Sequence, residues 1–236
     1  MLCLFVQCLR IVLRTCCLAS SLLPSVRLGA IPKQFIEDSL IKSEIIPDAY
    51  TAPADFGIEI WFNHVQVEYG NHILISDLAE KPSHINWVHM KGDRYTLIMS
   101  GLDVPSSDNP KDREALYWMV GNIHETDIDS GEEWASYESP WPLGGVGPHR
   151  IMFTIYKHIR GRRINFKDKV IKRRNPREAR LNFSTRVFAS QPVRELIDGS
   201  PYRLQKNFRY SFQAILCFKA ATLLCRFSHA ISSLHL

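Results

Sequence analysis

The sequence predicts a mainly β fold, a sandwich of antiparallel or mixed sheets with few peripheral helices. Three observations predict it. Short runs of β-branched, aromatic and aliphatic residues recur along the middle of the chain. Clusters of Gly, Pro, Asn, Asp and Ser separate them. Helical periodicity is scarce before residue 176.

Each element follows from its own pattern. VQVEY at 65–69 alternates, as a half-buried strand does. YTLIM at 95–99 and IMFTIY at 151–156 are almost continuously apolar or β-branched, as central strands are. ALYWMVGNI at 115–123 fits strand or helix by period alone; Tyr117, Trp118 and Val120 weight it to strand. The segments YGNH, KPSH, MKGDR, VPSSDNP, DSGEE and PWPLGGVGP read as turns between the runs. No internal repeat or low-complexity tract is visible.

Composition narrows the class. The chain has 236 residues, 45% apolar and 11% aromatic. That allows one extended domain with a real core and excludes an intrinsically disordered chain. The net charge of +5 conceals an asymmetry. Residues 157–180 carry eleven Lys or Arg and two acids, whereas residues 101–140 carry ten acids and two bases. An acidic body bearing one dense basic stretch suggests a phosphate-rich partner, nucleic acid or anionic lipid; a merely solvated loop is the alternative. The six cysteines all lie before residue 18 or after 216, so the body is not a disulfide-stapled framework. No cysteine pair has zinc-ligand spacing with nearby histidines, and no metal or cofactor is expected.

The ends read differently from the body. Residues 1–36 contain no Asp or Glu but hold Arg10, Arg14, Arg27 and Lys33 among apolar residues and serines. This pattern fits a mitochondrial presequence, hence a matrix location; secretion and a cytoplasmic location are the alternatives. The C-terminal stretch SFQAILCFKAATLLCRFSHAISSLHL is apolar but broken by Lys219 and Arg226. It is expected to form a divergent tail over 191–236, with one amphipathic helix as its candidate structure. No run at either end reaches the ~18 uncharged apolar residues of a spanning helix.

Four pieces of the body occur in a telling order. They are IIPDAY at 45–50, HINW at 84–87, YTLIMSGLDVP running into ALYWMVGNI, and PWPLGGVGPHR running into a strand. This order resembles the phosphatidylethanolamine-binding protein (PEBP) family over residues 45–190. The resemblance implies a β-sandwich with a small anion-binding pocket at one end. It places Asp103, Pro105, Tyr117, Trp141, Pro142, His149 and Arg150 around that pocket. Where the family has a first aspartate this chain has Gly101, and where it has a strand histidine this chain has Tyr117. Ile151 stands where the family has a tyrosine. Tyrosine supplies one hydroxyl and no positive charge, and isoleucine supplies no donor, so the pocket is expected to be degenerate.

One branch of the family, found in the large subunit of the mitochondrial ribosome, shares this wear. It also shares the Ser100-to-Asp103 step, Leu116-Tyr117-Trp118 leading to Gly121-Asn122-Ile123, and Ile164-Asn165-Phe166. The expected function is therefore a structural ribosomal component. The expected partners are mitochondrial rRNA and ribosomal proteins, with Arg162, Arg163, Lys167, Lys169, Lys172, Arg173 and Arg174 meeting phosphates. The alternative is a PEBP-type binder of anionic lipid headgroups, or a regulator of a kinase or protease. Catalysis is not expected: no Ser or Cys nucleophile sits beside Asp103 and His149. Asp103 is read as serving its loop, by accepting backbone N–H groups before Pro105.

Overall fold

A computed structural model describes residues 31–140, 148–165 and 170–190, and the backbone of 192–193, 205–206 and 208–219. The fold is mainly β, as the sequence predicts. The strands, in chain order, are β1 Phe56–Phe62, β2 Val65–Val67, β3 Asn71–His72, β4 His84–Trp87, β5 Arg94–Gly101, β6 Ala115–His124, β7 Glu132–Ala135, β8 Pro148–His158, β9 Pro192–Val193, β10 Gln205–Lys206 and β11 Phe208–Lys219. Helix α1 spans Lys33–Lys42 and the short helix α2 spans Thr185–Ser190.

Among the described residues one sheet runs in the order β2-β1-β11-β8-β5-β6-β7, with β4 also paired to β1 and β3 to β11. The β5–β6, β5–β8, β6–β7 and β8–β11 pairs are antiparallel. The β1–β11 and β3–β11 pairs are parallel, so the sheet is mixed.

The sheet folds back to make a sandwich. The main core lies between β1, β2 and β4 on one side and β5, β6 and β8 on the other. It joins Ile58, Ile60, Phe62, Val67, Ile85 and Trp87 to Leu97, Val120 and Phe153. The rings of Phe62 and Phe153 meet across it, 6.2 Å apart. The alternation of β1 explains this: Ile58, Ile60 and Phe62 are buried, and Glu59 and Trp61 point the other way. β5, β6 and β8 are buried on both faces, which is why they read as continuous apolar runs. Their second face carries two smaller clusters. Ile36 and Leu40 of α1 pack with Ile45, Leu102 and Met152. Phe188 of α2 packs with Trp134, Met119 and Ile164.

Two differences from the sequence reading stand out. First, α1 crosses residue 36, the expected end of the leader, and its Ile36 and Leu40 are fully buried. The body thus begins before residue 45. The helix has an apolar stripe of only two buried positions, too weak a period to be seen beside the cationic leader. Second, Phe208–Lys219 is a strand, not the helix that the tail reading allowed. It pairs with β8 from Phe208↔His158 to Lys219↔Pro148, with one register shift. Phe208, Tyr210, Phe212, Ala214, Leu216 and Phe218 alternate along it, a period of two that the mixed apolar composition conceals. Residues 1–30 and 220–236 lie outside the described residues.

Candidate functional site

The strand β5 ends at Gly101, and the chain turns through Leu102, Asp103, Val104 and Pro105. The neighbouring strand β8 begins at Pro148, which brings His149 and Arg150 beside that turn. The sheet continues across the junction, where Gly101 pairs with Ile151 and Leu102 N–H donates to the Arg150 carbonyl at 2.9 Å.

Asp103 is fully buried at its side chain and is held by charge. The Arg150 backbone N–H donates to Oδ2 at 2.6 Å. The Arg150 guanidinium adds Nε contacts at 3.0 and 3.2 Å and an Nη2 contact at 2.7 Å. Arg113 Nη2 stands 3.6 Å from Oδ1. His149 Nδ1 lies 2.8 Å from the Asp103 carbonyl; the carbonyl only accepts, so Nδ1 carries the proton there.

Two residues absent from the sequence reading complete the cluster. Asp48, from the IIPDAY segment, accepts from Arg113 Nη1 at 2.7 Å and from Arg150 Nη2 at 2.9 Å. Arg113 also donates through Nε to the Leu102 carbonyl at 2.6 Å. Arg150 Nη1 reaches the Glu44 carbonyl at 2.6 Å. Two carboxylates and two guanidinium groups thus close a neutral knot that ties the β5–β6 connection to Asp48 and to the start of β8. The hydrogen bond from Arg113 holds the Asp48 carboxyl below its ordinary range, against the opposing effect of partial burial. Burial works against the Arg150 charge, but Asp103 and then Asp48 raise its pKa further above the ordinary value. The IIPDAY motif was a signal for Asp48. Nothing in the local pattern singles out Arg113.

Tyr117 lies over the end of β5. A Cβ added at Gly101 would meet the Tyr117 ring at 2.6 Å and its hydroxyl at 2.9 Å. The ring occupies the space that a side chain at 101 would need. Burial, then the charges of Glu138 and Asp103, push the Tyr117 phenol well above its ordinary pKa. It is a neutral donor here, not a base. Behind it, the fully buried Arg180 donates to the Leu116 carbonyl at 3.0 Å and the Tyr117 carbonyl at 3.3 Å and pairs with Glu138 at 2.9 Å. Pro105 follows the buried Val104 at the rim. Trp141 and Pro142, expected as pocket wall, lie outside the described residues, as do Lys167 and Lys169.

A second buried polar cluster backs the site. Glu114 accepts from Ser100 Oγ at 2.6 Å, Thr185 Oγ1 at 2.6 Å and Thr185 N–H at 2.9 Å. It ties β5 and β6 to the start of α2. Tyr50, beside it, is fully enclosed, and burial, followed by the Glu114 charge, raises its phenol far above the ordinary value. Sequence reading missed Glu114, because an acid opening a strand looks like a solvated position.

The expected RNA-facing residues Arg162, Arg163, Lys172, Arg173 and Arg174 are all exposed. Arg162 and Arg163 follow the C-terminal end of β8, whereas Arg150 of the Asp103 knot lies near its start. Among the described residues no group of three or more His, Cys, Asp or Glu is placed to hold a metal. Likewise no described helix is long and apolar enough to cross a membrane.

Known proteins resemble this chain in sequence and in fold. A family model described as phosphatidylethanolamine-binding protein matches residues 63–196. The chain is 32% identical to Protein FLOWERING LOCUS T of Arabidopsis thaliana over 162 residues, 65% of this chain and 82% of that protein. It is 34% identical to a 26 kDa secreted antigen of Toxocara canis over 118 residues, 50% of this chain and 45% of that protein. The chain thus spans about half the length of the latter relative. In structure it is similar to carboxypeptidase Y inhibitor, solved in complex with the cognate proteinase. That likeness has a TM-score of 0.62 and 18% identity, and covers 79% of this chain and 96% of the other.

Proposed function

This chain belongs to the phosphatidylethanolamine-binding protein family, and from that premise we propose that it is a non-catalytic regulator that binds a protein partner of the protease or kinase class. One observation carries the choice of a protein over a lipid headgroup. The Tyr117 ring covers Gly101, so the pocket end offers a neutral phenol where a headgroup phosphate needs charged or multiple donors. Each charge-assisted bond lost costs about 1.5–3 kcal/mol. The cations that remain, Arg113 and Arg150, are engaged with Asp48 and Asp103. An inhibitory role fits the family premise: a structural neighbour is itself a carboxypeptidase inhibitor seated on its proteinase. Asp103 and His149 are not an acid–base pair in this reading, because the imidazole Nδ1 is given to a backbone carbonyl.

The test pairs two titrations of the purified chain. Phosphoethanolamine is added while tryptophan fluorescence is followed, and the chain is added to a serine carboxypeptidase and to a panel of kinases while turnover is followed. The expected result is no saturable fluorescence change at micromolar headgroup and dose-dependent loss of activity for one enzyme. Saturable micromolar headgroup binding with every enzyme unaffected sinks the proposal.

A second reading is residence in the matrix on the large subunit of the mitochondrial ribosome. The exposure of Arg162, Arg163, Lys172, Arg173 and Arg174 favours it, since rRNA phosphates and neighbouring ribosomal proteins would both be within reach of such cations. Migration of the endogenous protein away from large subunits on a sucrose gradient removes this reading.

A further inference from the structure

The basic stretch is mounted on the sheet at two places. Asn122, near the end of β6, takes a left-handed conformation with φ 58°. Its side chain grips one residue of the stretch by both backbone groups: Ile164 N–H donates to Oδ1 at 2.8 Å, and Nδ2 donates to the Ile164 carbonyl at 2.9 Å. Nδ2 also donates to Glu132 Oε1 at 2.8 Å. Just before this point, His158 Nδ1 donates to the Arg162 carbonyl at 2.8 Å, and its Nε2 accepts from Thr96 Oγ1 at 2.8 Å. The second mount is Ile171. Its N–H donates to the Trp134 carbonyl at 2.8 Å, and its own carbonyl accepts from Ser136 N–H at 2.9 Å. The following turn is closed by Lys172 N–H donating to Asn175 Oδ1 at 2.7 Å.

These mounts display two groups of cations. Arg160, Arg162 and Arg163 flank the first, and Lys172, Arg173 and Arg174 follow the second; all six are exposed, and Arg163 also forms a surface ion pair with Glu132 at 2.8 Å that phosphate would compete with. Both mounts border β7: Asn122 Nδ2 meets Glu132, and Ile171 bridges to Ala135, three residues further along the strand. A stretch kept basic only for solubility needs no such fixing. We infer that the two mounted groups form one rigid docking ridge for the phosphate backbone of RNA, with Asn122 as its positioning residue. Charge complementarity selects a polyanion. Five of the six cations are arginine, whose planar fork grips phosphate oxygens bidentately, and this favours discrete phosphodiesters over a diffuse anionic membrane surface. The inference goes beyond the regulator reading. It lends its surface to the ribosomal reading but does not depend on residence in the ribosome.

The experiment measures fluorescence anisotropy of a labelled RNA hairpin against the full chain and two variants. One neutralises Arg162, Arg163, Lys172, Arg173 and Arg174 to Gln. The other is Asn122→Gly, which keeps the left-handed backbone and every charge but removes the grip on Ile164. For the unaltered chain, affinity should fall about 10²–10³-fold between about 50 and about 200 mM salt, as expected when about five phosphates are engaged. The neutralised chain should lose at least about 100-fold in affinity and most of its salt slope. Asn122→Gly should lose several-fold in affinity with its thermal melt still cooperative, a loss that charge alone does not produce. Three outcomes overturn the inference: no RNA binding by the unaltered chain, undiminished binding by the neutralised chain, or tighter binding to phosphatidylserine vesicles than to RNA. Unchanged affinity in Asn122→Gly overturns the mounting. RNA binding by a protein absent from large subunits leaves the ridge standing and removes only the ribosomal reading.

Discussion

Replacing Asp103 by Asn probes the knot at the candidate site while changing its shape least. The buried carboxylate takes four contacts from Arg150, one from the backbone N–H and three from the guanidinium, with Arg113 close by. An asparagine keeps one oxygen for the backbone N–H. Its amide group then faces a guanidinium donor, and the negative charge is gone. Arg150, whose side chain is 13% exposed, keeps Asp48 as its carboxylate partner and the Ser43 and Glu44 carbonyls as acceptors. Breaking a buried pair by removing one partner costs about 3–5 kcal/mol. The retained acceptor and the partial exposure of Asp48 place this case near the low end, about 3 kcal/mol. For a chain of this size each kcal/mol moves Tm by about 2–4 °C, so the expected drop is about 6–12 °C. Calorimetry reads Tm, and urea unfolding reads the midpoint at constant slope. A double variant with Arg150→Met should cost less than the two single changes added together, because they break the same contact. A Tm within about 2 °C of the parent, or strict additivity, would refute the reasoning that Asp103 is a structural clasp.

Three further predictions follow from the same geometry. Gly101→Ala forces its methyl into the Tyr117 ring and should destabilise by about 1–3 kcal/mol in urea unfolding, with recovery when Tyr117→Ala is added. Gly101→Asp combined with Tyr117→His should create saturable phosphoethanolamine binding by tryptophan fluorescence; an unresponsive double variant argues that other walls of the pocket block it. Burial holds His158 neutral until about pH 4, whereas an unfolded histidine protonates near 6.5. Its contribution is therefore complete above about pH 6.5 and is lost as the pH falls toward about 4, an effect of about 3 kcal/mol. Comparing urea midpoints at pH 7 and pH 4 for the parent and His158→Gln isolates it, and parallel pH dependences would contradict the assignment.

Much of the fold was legible because burial on both faces writes itself into composition. β5, β6 and β8 each read as apolar runs, and each is a central strand. The order of motifs from IIPDAY to PHR carried the family. Asp103 and Arg150 were legible as neighbours through that order alone. The pairing of Asp48 with Arg113 was not, since the two meet across 65 residues of sequence. Local pattern holds no record of such a closure.

What the chain alone determined, then, is everything that depends on nearest neighbours along it: strand period, turn chemistry, the dense run of positive charge, and the residue types that a resemblance aligns. What only the tertiary structure decided is where long-range pairing spends those residues. It made Phe208–Lys219 a strand because β8 offered a partner of matching length. It seated the Tyr117 ring over Gly101, and it fastened the basic stretch to Asn122 and β7. The physical reason is common to all three. Sheet hydrogen bonds, buried ion pairs and ring packing are contacts between segments far apart in sequence, and their energies exist only once the backbone has brought those segments together.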